Sequence, residues 1–590
     1  MNAAQELISK AGAALGNLAP QRILQPAGAS VLTGLLGLDA IDLVRRAALE
    51  DPANFYDQAL AKLNLSWECA EKEWKRIPTQ GPLIVVSNHP HGLADGLILG
   101  SLLSHVRPDV KFLANSILES AAPRGAVIPV NPFEENASVM RNARGLRSAL
   151  AWLKNCGALV VFPAGEVASL SLHHREVHEP EWRDTAAWLA LRTGATVIPA
   201  FVYGTNSPAF HLTGLVHPSL RTVLLPRELL NKRGKKIQIS FARPVSPSHL
   251  STYSTPRESV RYLQWRSALL RAKGKAAKPP LVSLVRKQTP LAGPADSEAI
   301  RAEVEALAEN QCLGTHADFS VYFAHTSQIP NTLHEIGRLR EVSFRQAGEG
   351  TGQPLDLDRF DRHYIHLFLW NHQTEEVIGA YRVALADEVI DRHGLAGLYT
   401  NTLFRFDPAF FKSIGPTIEL GRSFIRPEYQ KAFMPLLMLW RGIGAFVAQR
   451  PKYKTLFGAV SISNSYCRES RAILAEFMKR HSWDEHLAGM AKPRGHWNDA
   501  PRPHARANSL VTMDHLTDAL HDLEPDGKGV PVLLRQYLNL GGKAAAFHRD
   551  RSFANALDAL LVVELSQAPA KALERYVGKA QAAWYRASKN

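Results

Sequence analysis

The sequence predicts two α/β domains in one chain, and three observations lead there. From Gly81 to about Pro244, short apolar runs alternate with stretches of helical period, the pattern of a largely parallel sheet with helices on its faces. From Arg271 to Asp296 the chain reads RAKGKAAKPPLVSLVRKQTPLAGPAD, which predicts a basic, mobile linker because it is rich in Lys, Pro, Gly and Ala and lacks apolar period. Beyond it, adjacent strand-like runs precede a helical one, so a second α/β or α+β domain is expected. The expected division is 1–270, including an N-terminal helical region, then 271–296 as linker, then 297–590.

In the first half, strands are expected at Leu83–Val86, Lys111–Ala114, Ala158–Phe162, Ala195–Val202 and Lys236–Phe241. Between the second and third, Val139, Ala143, Leu146, Leu150 and Leu153 recur at helical spacing over Ser138–Cys156, with Arg141, Arg144 and Arg147 off that face. In the second half, helices are expected at Ser297–Asn310, around Ile336–Phe344 and from Met434 to Ala448. Strands are expected at Ile365–Leu369, Val377–Ala384, Thr417–Ile425 and Thr455–Ser461, with a turn at Trp370–Gln373. Past Trp483 the pattern weakens; Arg502–Arg506 reads as a loop and Val530–Leu534 opens a last compact stretch.

A chain of 590 residues, 46% hydrophobic and 21% charged, is that of a folded protein of several domains. Its net charge of +14 favours anionic partners: a membrane surface, nucleic acid or an acidic carrier protein. Nucleic acid is the poorest of these, because the basic residues are spread out and form no recognised module. Four distant cysteines, Cys69, Cys156, Cys312 and Cys467, have no metal-ligand spacing and point to a reducing compartment. No basic segment precedes a long apolar run, and Ile23–Leu38 is too short and too polar to span a bilayer. The expectation is a cytoplasmic protein, peripheral at the inner face of the membrane.

Chemistry first shows itself in Ser87-Asn88-His89-Pro90-His91-Gly92-Leu93-Ala94-Asp95-Gly96, a polar loop at the end of the first expected strand. Open α/β sheets place their sites at the C-terminal ends of strands, and a histidine beside a carboxylate is the minimum for a base held in one tautomer. Both could instead serve only to cap the next helix, with Asp95 near its N-terminus. His173, His174 and His178 read as a surface loop, and no metal is expected.

Asn88-His89-Pro90 with Asp95-Gly96, Phe162-Pro163-Ala164-Gly165-Glu166 and Val197-Ile198-Pro199-Ala200-Phe201 together resemble the glycerolipid O-acyltransferases, in their hemolysin-like branch, over about residues 60–245. The resemblance implies that His89 removes the proton of an acceptor hydroxyl as it attacks an acyl thioester, while Asp95 orients the ring. It also implies that Asn88, His91, Gly92, Asn131, Phe162, Pro163, Gly165, Glu166 and Pro199 surround the substrates. Five residues separate His89 from Asp95 where four are usual in that family, which leaves His91 as a competing base. Asn131 stands where an arginine commonly meets the acceptor's phosphate, and a phosphate wants a guanidinium fork. That departure permits a phosphate-free lipid acceptor.

Leu357-Asp358-Arg359-Phe360-Asp361, Gly379-Ala380-Tyr381-Arg382-Val383, Glu419-Leu420-Gly421-Arg422-Ser423-Phe424 and Leu439-Trp440-Arg441-Gly442-Ile443 resemble the GNAT-like N-acyltransferases that move a 3-hydroxyacyl chain from acyl carrier protein to the α-amine of ornithine. By that resemblance Glu419 is the candidate to take the amine's proton, with an ion pair to Arg422 as its alternative role. Arg382, Arg422 and Ser423 are candidates to hold the acceptor. The glycines of a pyrophosphate loop are missing after Tyr429, which favours a carrier-protein donor over coenzyme A. Together the two resemblances are those of bifunctional ornithine lipid synthases, which use no cofactor beyond the thioester donor. Ornithine, lyso-ornithine lipid, acyl carrier protein and a membrane surface would be the partners. Two other readings stay open: a phospholipid O-acyltransferase with a regulatory GNAT-like half, and a non-catalytic membrane-active protein. Glycine or lysine head groups are open as well.

Overall fold

The computed structural model describes residues 37, 39–115, 118–119, 122–130, 138–171, 176–216, 218–273, 288–497 and 509–587. The chain forms two compact units, residues 1–277 with 508–527, and residues 278–507 with 528–590. Each is an α/β assembly around its own sheet.

Among the described residues, the main sheet of the first unit has seven strands: β1 (Ser66–Cys69), β2 (Leu83–Ser87), β3 (Val110–Asn115), β4 (Val127–Val130), β5 (Ala158–Val161), β6 (Thr196–Val202) and β7 (Lys236–Phe241). Their order is β1-β7-β6-β2-β5-β3-β4, and every pair is parallel except β6 with β7. β2 lies at the centre, buried at all five positions because its apolar run faces helices on both sides. The chain leaves β2 through residues 88–92 into α1 (Leu93–Ser104), an almost wholly buried helix.

Helix α2 (Ser138–Lys154) forms where expected, but its inward stripe is Gly145, Ala149 and Leu153, and Ala143 is exposed. The reason is close approach: a Cβ on Gly145 would stand 2.3 Å from the Pro129 carbonyl oxygen of β4. Arg144 and Arg147 are exposed as expected, whereas the Arg141 side chain lies outside the described residues. Helices α3 (Pro218–Leu230) and α4 (Pro256–Lys273) also belong to this unit.

Residues 508–527 contribute the helix Met513–Leu523 to this first unit, so the expected second domain of 297–590 is interrupted. The expected linker 271–296 is also shorter, since α4 runs through Lys273 and Thr289 and Ala292 donate backbone hydrogen bonds to Gly352 and Pro354 of the second unit. Residues 274–287 between them, like the Arg502–Arg506 segment, lie outside the described residues.

The second unit is built on eight strands: β8 (Cys312–His316), β9 (Phe319–His325), β10 (Ile365–Asn371), β11 (Glu376–Leu385), β12 (Thr417–Ile425), β13 (Thr455–Ile462), β14 (Lys543–Asp550) and β15 (Ala556–Glu564). Their order is β8-β9-β10-β11-β12-β13-β15-β14. β12 and β13 are the one parallel pair, joined only from Thr417–Glu419 to Thr455–Phe457, beyond which the strands part. Helices α5 (Pro330–Gln346) and α6 (Phe433–Ala448) lie on this sheet. Among the described residues, no helix is long and apolar enough to cross a membrane.

Candidate active sites

In the first unit one carboxylate oxygen gathers the loop after β2. Asp95 Oδ2 lies 3.0 Å from His89 Nδ1 and accepts the backbone N–H of His91 at 2.8 Å and of Gly92 at 3.1 Å. Asp95 is fully buried at the third position of α1, so it caps the helix and holds the histidine at once. Gly92 makes this wrap possible with φ of +75°, and a Cβ there would meet Leu225 at 2.7 Å. With Nδ1 engaged by the carboxylate, Nε2 is the basic nitrogen of His89. The ring stacks on Phe162 at 4.2 Å, and its backbone N–H donates to Glu179 at 2.9 Å.

The surrounding residues divide into those at the loop and those behind it. Asn88 exchanges two hydrogen bonds with the backbone of Val202, tying the end of β2 to β6. His91 is turned inward, its Nε2 bonded to the Tyr203 carbonyl at 3.0 Å, and burial holds its imidazole below the usual histidine range. Its side chain therefore supports the loop from below, while His89 keeps 19% of its side chain open to solvent. Phe162, Pro163, Ala164 and Gly165 form a turn closed by Gly165 N–H to Phe162 O at 3.0 Å. Glu166 pairs with Arg221 of α3 at 3.3 Å. Pro199 is buried within β6, where its carbonyl accepts from Ala242. Asn131, His173, His174 and Arg175 lie outside the described residues. Two members of this neighbourhood have no motif to announce them: Arg221, and Glu179, whose carboxyl burial pushes up to about 8.

In the second unit the parting of β12 and β13 opens a cavity of about 740 Å³. One end is polar, with Tyr399, Arg422 and Ser461. The other is apolar, with Leu436, Trp440 and Leu533, and exposed Phe433 and Val532 line it too. Residues 430–433, leading into α6, also line it, and the first turn of α6 has no side-chain cap. Arg422 sits on a bulge, where two residues of β12 oppose Tyr381, and takes φ of +46°. Its guanidinium lies 3.5 Å from Asp356 and 3.6 Å from Asp358. Ser423 also lines the cavity.

Glu419 and Arg382 are placed differently from Arg422. Glu419 is 1% exposed, accepts Tyr364 O–H and the Thr400 N–H, and is held above its ordinary pKa by burial; it does not border the cavity and does not pair with Arg422. Arg382 is likewise buried, 2.6 Å from Asp358 and 3.3 Å from Asp361, with Arg340 on the other side of Asp361 at 2.7 Å. These two residues brace the wall that carries Tyr399 and Arg422. The expected motif Leu357–Asp361 supplies the carboxylates of that brace.

The family model described as acyltransferase matches residues 36–277, and the one described as acetyltransferase (GNAT) domain matches residues 339–441. An acyltransferase-like α/β domain and a GNAT domain therefore share this chain. It is 40% identical over 176 residues to a glycine N(alpha)-acyltransferase of Phocaeicola vulgatus, covering 28% of this chain and 54% of that protein. A protein of the same name from Bacteroides thetaiotaomicron is 39% identical over 201 residues, or 32% of this chain and 59% of that one. The chain thus spans little more than half the length of these two relatives. A lyso-glycine lipid O-acyltransferase of Phocaeicola vulgatus is 25% identical over 200 residues, 33% of this chain and 70% of that one. Among solved structures, the 1-acyl-sn-glycerophosphate acyltransferase PlsC of Thermotoga maritima is similar at 20% identity and a TM-score of 0.24, covering 39% of this chain and 83% of that chain.

Proposed function

We propose that this chain is a two-site acyltransferase that builds an aminolipid. The second unit joins an acyl chain to the α-amine of an amino acid, and the first unit esterifies the hydroxyl of the resulting lyso-lipid. Ornithine is the proposed head group, 3-hydroxyacyl-carrier protein the donor for the amine, and the inner face of the cytoplasmic membrane the place of work. The observation that carries the reading is the contact of His89 Nδ1 with Asp95 Oδ2 in a chain that also holds a cavity between parted strands. Relatives named for each of the two steps support it.

At the first site His89 Nε2 accepts the proton of the lyso-lipid hydroxyl as that oxygen attacks the thioester carbonyl. Collapse of the tetrahedral adduct expels the thiolate, which takes the proton back from His89, and the ester is formed without a covalent acyl-enzyme. Asp95 stabilises the imidazolium and fixes the tautomer. At the second site Arg422 faces the acceptor's carboxylate, and the open first turn of α6 meets the polar arm of the donor. The enclosed Glu419 does not border the cavity, so the amine's proton leaves by way of water. A purely membrane-active protein has no use for a buried carboxylate gathering three donors around one histidine.

Expression of the chain in a host without aminolipids, with carrier protein present, is expected to yield a ninhydrin-positive lipid whose head group mass spectrometry identifies. His89→Ala is expected to lower O-acylation by roughly 10³-fold or more and leave the N-acylated lyso-lipid to accumulate. Loss of both products together would defeat the division of labour between the units.

A further inference from the structure

The polar end of the cavity between β12 and β13 has more negative charge than it can satisfy. Glu349, Asp550 and Asp558 all line it, and none is more than 6% exposed. Asp558 is the third residue of the apolar strand β15 (Ala556–Glu564), opposite Ser461 of β13 and His548 of β14. Its Oδ2 is buried and has no hydrogen-bond partner. Glu349 accepts one hydrogen bond, from the Ser461 hydroxyl at 2.9 Å, and Asp550 accepts from Ser552 and Phe553. The cation nearest to hand, Arg422, is already shared with Asp356 and Asp358.

A buried carboxylate without a partner costs several kcal/mol in general, or else stays protonated. Burial and the neighbouring carboxylates raise Asp558 well above its ordinary pKa and Glu349 to about 7. A cation entering the cavity would let these groups ionise and would supply the missing partner of Asp558. Among the described residues no cluster of histidine, cysteine and carboxylate side chains is arranged to hold a metal ion, whereas an ammonium needs only acceptors around it. An ammonium held here would not be the one that reacts. An amine surrounded by carboxylates keeps its proton, and a protonated amine is no nucleophile.

We propose that Asp558, with Asp550 and Glu349, forms the subsite for the side-chain ammonium of a diamino-acid acceptor, leaving the α-amine free to be acylated. The proposal rests on the reading of the second unit as an amino-acid N-acyltransferase and adds the residues that choose the amino acid. Glycine has no group to offer these carboxylates. L-Norvaline has the carbon chain of ornithine without its terminal amine, and so isolates the contact.

The test uses the full-length chain, a 3-hydroxyacyl-carrier protein donor and three acceptors: L-ornithine, L-norvaline and glycine. The unaltered protein is expected to prefer ornithine to norvaline by about 100-fold or more in kcat/KM, the scale on which a site built for a polar group rejects an analogue lacking it. Asp558→Asn is expected to lower kcat/KM for ornithine by about 10- to 100-fold, mostly through KM, and to change norvaline by less than about threefold. Without donor, L-ornithine should raise the melting temperature of the unaltered protein and not that of Asp558→Asn. Glu349→Gln should show the same selective loss and serves if the first variant folds poorly. Equal use of the three acceptors, or equal loss for ornithine and norvaline in both variants, overturns the subsite and leaves N-acylation standing. Transfer to no amino acid overturns both.

Discussion

Gly92 shows how little freedom the loop after β2 has. Its φ of +75° and ψ of −121° turn the backbone so that the His91 and Gly92 N–H groups converge on Asp95, and Leu225 closes the space where a side chain would begin. Gly92→Ala is therefore expected to cost about 1–3 kcal/mol in stability and to lower O-acylation at least tenfold while N-acylation holds. Thermal unfolding and the two separate product assays check it. Leu225→Ala in the same chain should relieve the clash but not the backbone strain, so rescue is expected to be partial. At this scale much of the first site was legible, because His89, Asp95, Phe162 and Gly165 fall in recognisable motifs. Glu179 and Arg221 were not, since each reaches the loop from an element whose position only the folded sheet determines.

The helix Met513–Leu523 acts as a plug held by charge. Asp522 accepts from the Arg243 backbone at 2.7 Å and from both Nε and Nη2 of Arg266, whose Nη1 donates to Tyr262, and neither Asp522 nor Arg266 is exposed. Asp522→Ala leaves a guanidinium buried without its carboxylate and is expected to destabilise the first unit by about 3–5 kcal/mol, read from urea unfolding; Arg266→Met with Asp522→Leu should recover most of it. The sequence pattern showed β2, β3, β5, β6 and β7 of the first unit because they are apolar runs between turn signals, and missed the four-residue β1 and β4. It did not show β14 and β15. Ala556–Glu564 carries Asp558 inside a run that suits helix or strand equally, and its partner β13 lies some hundred residues earlier. The carboxylate that blurred that strand is one of those lining the second cavity.

Across the molecule, burial raises several carboxyl groups, among them Glu179 in the first unit, pushed up to about 8, and Glu349 in the second, pushed up to about 7. Each of these two has an ordinary value near 4.5 when the chain is unfolded. The stability they contribute is complete below that value and is lost as pH rises through about 7 and then about 8. The melting temperature is expected to fall between pH 5 and about 8.5, at roughly 2–4 °C per kcal/mol for units of this size, and Glu179→Gln with Glu349→Gln should flatten the decline. Saturating L-ornithine should reduce the Glu349 part alone. The interleaving of the two units was the feature least visible in the sequence, because the return of 508–527 to the first unit has no motif and rests on contacts between distant residues: the Arg266–Asp522 pair, His515 against Tyr253 and Tyr262, and the buried Leu516, Leu520 and Leu523. It also sets an order of birth. Residues 1–277 leave the ribosome without their plug, which emerges roughly 250 residues later, after most of the second unit. At roughly 5–20 residues per second this is a delay of roughly 12–50 s, during which the unit that carries His89 and Asp95 is still waiting to be finished.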